Sequence, residues 1–221
     1  AFGRNLAAPS RYVIDGRFDA RDLERLGIGV AAYANGPVGV QLRGDGRGLD
    51  MSSGAVRVDL KDAEVVLPKR AWVKRPGRPA TATFDVRGAP DGALTLANLD
   101  MKGPGFAANG TVNLGADNSF QGATLQRVWI DGRTDLRVTA RRTREGVIQV
   151  AANGPMFDAA PFMAADAPAP PEKVASAPPP RTGALPVVAR DVQVVSAPVN
   201  ERWDYAIQAD RILMKGDAEL S

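Results

Sequence analysis

Apolar and polar residues alternate one for one along most of the chain, and this period limits the possible folds more than any other feature. A helix buries a stripe that repeats about every 3.6 residues, whereas a strand sends successive side chains to opposite faces. Val38, Val40 and Leu42 alternate with Gly39, Gln41 and Arg43, and Val56, Val58 and Leu60 alternate with Ala55, Arg57 and Asp59. Ala82, Phe84 and Val86 do the same against Thr83, Asp85 and Arg87, as do Leu136, Val138 and Ala140 against Arg137, Thr139 and Arg141. Ala108, Val112 and Leu114 share a face opposite Asn109, Thr111 and Asn113; Leu94 and Leu96 form a short strand before Asp100; Ile148 and Val150 repeat the pattern. Each run predicts a strand with one apolar and one wet face.

Turn signals separate these runs at short intervals: Asn35-Gly36-Pro37, Gly44-Asp45-Gly46, Pro90-Asp91-Gly92, Gly103-Pro104-Gly105, Asp131-Gly132 and Arg144-Glu145-Gly146. Closely spaced turns between alternating runs predict hairpins, and successive hairpins predict an antiparallel meander of about 12 to 14 strands. Two short helices interrupt it. Asp19 is placed to cap one that runs through Leu26 to a stop at Gly27, and a single turn is expected around Phe157 to Met163. From Ala164 to Thr182 the chain holds six prolines and almost no large apolar residue, the composition of a flexible linker. The predicted organisation is therefore a β segment over 1–163, a linker over 164–182, and the start of a further β segment over 183–221. In the last of these, Trp203, Tyr205 and Ile207 alternate with Asp204, Ala206 and Gln208.

The chain has no His and no Cys. It therefore lacks the usual neutral-pH base, the strongest nucleophile and the common transition-metal ligands. The carboxylates fall singly in turns or on wet faces, so no acid/base pair is evident, and the expectation is a protein that is not an enzyme and uses no cofactor or metal. Lys and Arg number 28 against 25 Asp and Glu, interleaved, which does not suit nucleic acid. No apolar run reaches membrane-spanning length, and any membrane anchor is expected outside this stretch, in a longer chain. The densest basic cluster is KRAWVKRPGR, with Lys69, Arg70, Lys74, Arg75 and Arg78 around Trp72. It reads either as a contact for lipid headgroups or a protein partner, or as a solvated loop whose Trp is tucked into the core. Arg43-Gly44-Asp45 spells an adhesion tripeptide, but the expected turn accounts for it.

Four stretches carry a resemblance: DLERLGIGVAAYANGPVGVQL (22–42), VDLKDAEVVLP (58–68), AWVKRPGRPATATFDVRG (71–88) and GVIQVAANGPMFDAAPFM (146–163). Together they resemble the AsmA-like proteins of Gram-negative envelopes, in the YhdP-like branch. The similarity covers about two thirds of the chain; Ala71 stands where a Gly is usual, and the Pro-rich stretch is longer. The resemblance implies a long, curled antiparallel sheet forming an open apolar groove. It further implies a periplasm-spanning protein, anchored in the inner membrane, that carries phospholipid between inner and outer membranes. The groove would hold acyl chains on the apolar residues named above, from Val38 through Val150, together with Trp203, Tyr205 and Ile207. The competing expectation is a structural scaffold or assembly factor of the cell envelope whose apolar faces close on one another, since a closed core shows the same alternation.

Overall fold

A computed structural model describes residues 9–25, 33–47, 50–67, 71–163, 202–214 and 219–220. The chain is mainly β. Strands β1 (Pro9–Asp19), β3 (Pro37–Arg47), β4 (Asp50–Asp59), β7 (Thr81–Gly88), β8 (Leu94–Gly103), β9 (Phe106–Leu114), β10 (Phe120–Ile130), β11 (Thr134–Arg142), β12 (Ile148–Asp158), β13 (Trp203–Leu213) and β14 (Glu219–Leu220) form one sheet in that order. Three short strands, β2 (Ala34–Asn35), β5 (Glu64–Val66) and β6 (Val73–Lys74), form a second sheet. Helices α1 (Ala20–Arg25) and α2 (Ala160–Met163) are both brief. Each opens on an Asp: Arg21 N donates to Asp19 Oδ1 at 2.9 Å, and Ala160 N to Asp158 Oδ1 at 3.0 Å. These carboxylates satisfy donors that the first helical turn leaves unpaired.

The meander holds from β7 to β12 and departs from expectation elsewhere. The chain leaves the large sheet for β2 and again for β5 and β6, so β1 pairs with β3 and β4 with β7. All pairings in the large sheet are antiparallel except β12 with β13, which run parallel from Ile148 beside Trp203 to Asp158 beside Leu213. Parallel neighbours need a crossover of a dozen or more residues, and the interval from Asp158 to Trp203 is long enough for one. The Pro-rich stretch 164–182 and the first part of the segment expected over 183–221 lie outside the described residues. The sheet is open and not strongly curled. Its eleven strands span about 48 Å at about 4.8 Å per step. Gly44-Asp45-Gly46 is not a turn: β3 continues through it to Arg47, pairing Gly44 with both Tyr12 and Gly54.

Three strands carry an extra residue that reverses parity. In β8, Asn98 (φ 53°) is inserted between Leu96, opposite Val112, and Leu99, opposite Gly110. The bulge lets Leu94 and Leu96 share a face with Leu99 and Met101 despite odd spacing. Strand β10 shifts twice, after Phe120 and after Leu125, so that Phe120, Ala123, Leu125, Val128 and Ile130 all face one way. Strand β12 shifts between Asn153 and Met156. At the second β10 shift the backbones come close: a Cβ on Gly110 would lie 2.3 Å from Thr124 O and 2.7 Å from Leu125 Cα. Neither atom is on a flexible side chain, so Gly110→Ala is expected to lower unfolding free energy by about 3 kcal/mol, measured by urea denaturation.

Candidate functional site: one apolar sheet face

Residues directly opposite in adjacent strands lie on the same face, so the registers give rows across the sheet. One row runs Val40, Val58, Ala82, Met101, Ala108, Val128, Leu136. The next starts at Ile14 and runs Leu42, Val56, Phe84 and, across the β8 bulge, Leu99, Gly110, Leu125, Val138, Ala152, Ile207. A third runs Val86, Leu96, Val112, Ala123, Ala140, Val150, Tyr205. A fourth holds Leu94, Leu114 and Phe120, and beyond Arg142 continues as Ile148 and Trp203. The apolar residues singled out by alternation thus meet on one face, except Leu60, which follows β4 and packs against Val38 and Val65 at the covered margin. To them the structure adds Leu99, Met101, Phe120, Ala123, Leu125, Val128 and Ile130, whose signal was a change of parity rather than an unbroken alternation.

Cover over this face is uneven. At one margin the three-stranded sheet and α1 lie against it. Ala20, Val38 and Ala63 form a buried cluster there, as do Val65, Trp72, Phe106 and Ala108. Near the other end Ala159 and Phe157 pack with Leu136 and Ala152. Toward the opposite ends of the strands, in the third and fourth rows, Ala123, Ala140 and Ile148 form a cluster with Val112, Phe120 and Val150, all of them side chains of the sheet itself. Most of the face is half-buried, while Trp203 is 37% and Tyr205 55% exposed. Phe120, Trp203 and Tyr205 stack in series, with centroids 6.3 and 6.2 Å apart. Ile148 and Val38 share the face but are enclosed, at 0% and 2% exposure, so contact with any ligand falls to their half-buried neighbours.

The basic cluster divides. Trp72 is internal: its ring stacks on Phe106 at 4.7 Å, and Nε1 donates to Pro104 O at 2.8 Å. Lys74 is 2% exposed, and its Nζ donates to the carbonyl oxygens of Leu60 (2.5 Å), Lys61 (2.9 Å) and Ala63 (2.6 Å). Neither can meet a headgroup, because the indole is under the sheet and every ammonium proton is taken by backbone. Arg75 and Arg78 remain exposed; Lys69 and Arg70 lie outside the described residues. Burial pulls the Lys74 ammonium below the usual lysine range, opposed by the nearby charges of Asp62 and Asp59. Lys74 therefore works as an internal brace for the turn before β5. Lys74→Met keeps the stem but removes three charge-assisted hydrogen bonds, and should cost about 2 kcal/mol in chemical denaturation.

The opposite face is wet and carries paired charges. Arg127 grips Asp135 with Nε and Nη2 at 2.9 and 2.7 Å, and Lys102 meets Asp100 at 2.7 Å. A concavity of about 190 Å³ opens on the apolar face between the Trp72 loop and α2. Its floor is Val128, Ile130, Leu136, Val138, Ala152 and Ile207, and Asp131, Arg133, Thr134 and Asp158 border it. No cluster of acidic residues able to hold a metal is present among the described residues. No family model, curated protein or solved structure matches the chain.

Proposed function

We propose that the chain is a lipid-carrying segment of an envelope protein, in which the apolar sheet face holds phospholipid acyl chains. The observation that carries this reading is the cluster around Ile148, which spans β9 to β12 and in which, among the described residues, the packed apolar side chains all belong to the large sheet. Where no second layer lies over it, a broad apolar face is a liability in water unless something apolar covers it. Acyl chains fit that need, gaining about 0.8 kcal/mol per CH2 removed from water and requiring no particular polar partner. A row that runs from β1 to β13 suits a ligand that moves along the sheet. The wider setting, a periplasmic bridge anchored in the inner membrane through another part of a longer chain, rests on the resemblance to AsmA-like proteins.

The test is organic extraction of protein purified under mild conditions, followed by mass spectrometry. Phospholipid at about one or more molecules per chain is the expected result. A lipid-free protein that stays folded and monomeric would favour a closed envelope scaffold instead.

A further inference from the structure

We infer that β1 is a self-pairing edge, at which two copies of this chain join antiparallel about a two-fold axis at Val13. They would do so whether or not lipid lies on the sheet. Among the described residues β1 pairs with β3 alone and ends the large sheet, and its register runs from Pro9 to Asp19 without a shift. Sheet edges are kept from pairing by shortness, a bulge, an interior proline or a lysine, and β1 has none of these. It carries instead two β-branched residues in succession, Val13 66% and Ile14 45% exposed, one on each face. Val13 lies on the wet face, opposite Arg43 and flanked along the strand by Arg11 and Asp15.

The order of charges selects the register. Two antiparallel copies keep their apolar faces on one side only when residues of like parity oppose, so the axis passes through a residue and not between two. With the axis at Val13, symmetry sets Arg11 of each copy opposite Asp15 of the other, and Val13 meets its own counterpart. On the apolar face Ile14 lies opposite Tyr12 of the second copy. An axis at Tyr12 would oppose Arg11 to Val13, one at Ile14 would oppose Arg11 to Arg17, and one at Asp15 would bring two carboxylates together. An axis at Gly16 opposes Asp15 to Arg17, but Arg17 is already paired with Asp62, and Val13 would then face Asp19. Arg11 is held only loosely, its Nε 3.5 Å from Asp45 with both side chains exposed, and can lie between Asp45 and the incoming Asp15. In the joined pair the row that starts at Ile14 runs on into the same row of the second copy, so one apolar face extends across both eleven-stranded sheets.

Full chain that has never been unfolded would be followed by sedimentation velocity between about 1 and 200 μM, a range suited to a small, transient interface. Expected is a monomer–dimer equilibrium. Arg11→Asp and Asp15→Arg, both at exposed positions, should each weaken self-association about tenfold or more, since each turns two attractive cross-strand pairs into repulsive ones. Mixed in equal amounts, the two variants should associate within about threefold of the unmodified chain, because across a mixed pair every cation again opposes a carboxylate. Recovery on mixing also shows that both variants are folded. Unmodified chain that stays monomeric over this range, variants that dimerise as well as it does, or a mixture that fails to recover would overturn the β1 edge. Lipid retention is read separately and is left standing by each of these results.

Discussion

Val138→Asp is expected to reduce lipid retention tenfold or more, while Arg137→Asp, one residue away, leaves it within twofold. Val138 sits between Leu125 and Ala152 in the second row, half-buried, with apolar neighbours on both adjacent strands. A carboxylate there either stays charged beneath the acyl chains or takes a proton to avoid it. Both cost at least the ~1.4 kcal/mol that a tenfold loss represents. Arg137 points to the wet face opposite Asn153, where an added carboxylate is hydrated. Val112→Asp and Thr111→Asp form a second such pair on β9. Photocrosslinkers give the same contrast without adding charge. Lipid should be captured from Val40, Val58, Phe84, Val112 and Val138, and not from Thr111 or Arg137. Equal capture from both parities in folded protein would exclude a one-sided lipid path.

The largest loss of stability is expected from Trp72→Ala, about 3 to 5 kcal/mol by denaturant midpoint. The indole joins the two sheets: it stacks on Phe106 of β9, packs within the cluster of Val65 and Ala108, and hydrogen-bonds to the β8–β9 turn at Pro104. A Cβ on Gly103 would already come within 3.0 Å of the ring, so the site is filled to contact. Trp72→Phe retains most of the stacking and forfeits the Nε1 bond, and should cost about 1 kcal/mol. Loss of the three-stranded sheet would also expose the margin of the apolar face that it covers. Trp72→Ala should therefore bind a hydrophobic dye more strongly than the unmodified chain does.

How much was legible in the sequence follows from what alternation can encode. Strands with unbroken parity, such as β7 and β11, were readable because each side chain alone reports its face. Strand β10 was not, since two inserted residues move its apolar set from Phe120 to Ala123 and Leu125 and then to Val128 and Ile130. A strict period-2 reading scores such a segment as irregular. The same insertion hid the second half of β8. Of the two readings of the basic loop, the one with Trp72 tucked into the core holds, but burial of Lys74 was not legible, because a charge run says nothing about which of its members has backbone carbonyls within reach. The Asp19 cap and the glycines of the turns between β7 and β12 were legible because they act locally, whereas Gly44 and Gly46 read as a turn yet lie within β3. The parallel partner of β12 was not, since pairing across a long crossover leaves no mark at either strand.

That parallel pairing also sets an order of assembly. From β7 to β12 every strand can zip onto its predecessor through a short turn, whereas β13 must close a loop back to the start of β12. By chain-closure scaling this costs about 2 kcal/mol more than closing a hairpin. Refolding should then run in two kinetic stages, with β13 arriving after the hairpins are in place. In the interval, β12 presents a complete row of unpaired backbone donors and acceptors to any other chain in the same state. Concentrated refolding should for that reason produce dimers joined at β12, and the fast-folding body and the late-docking strand would compete for the same edge.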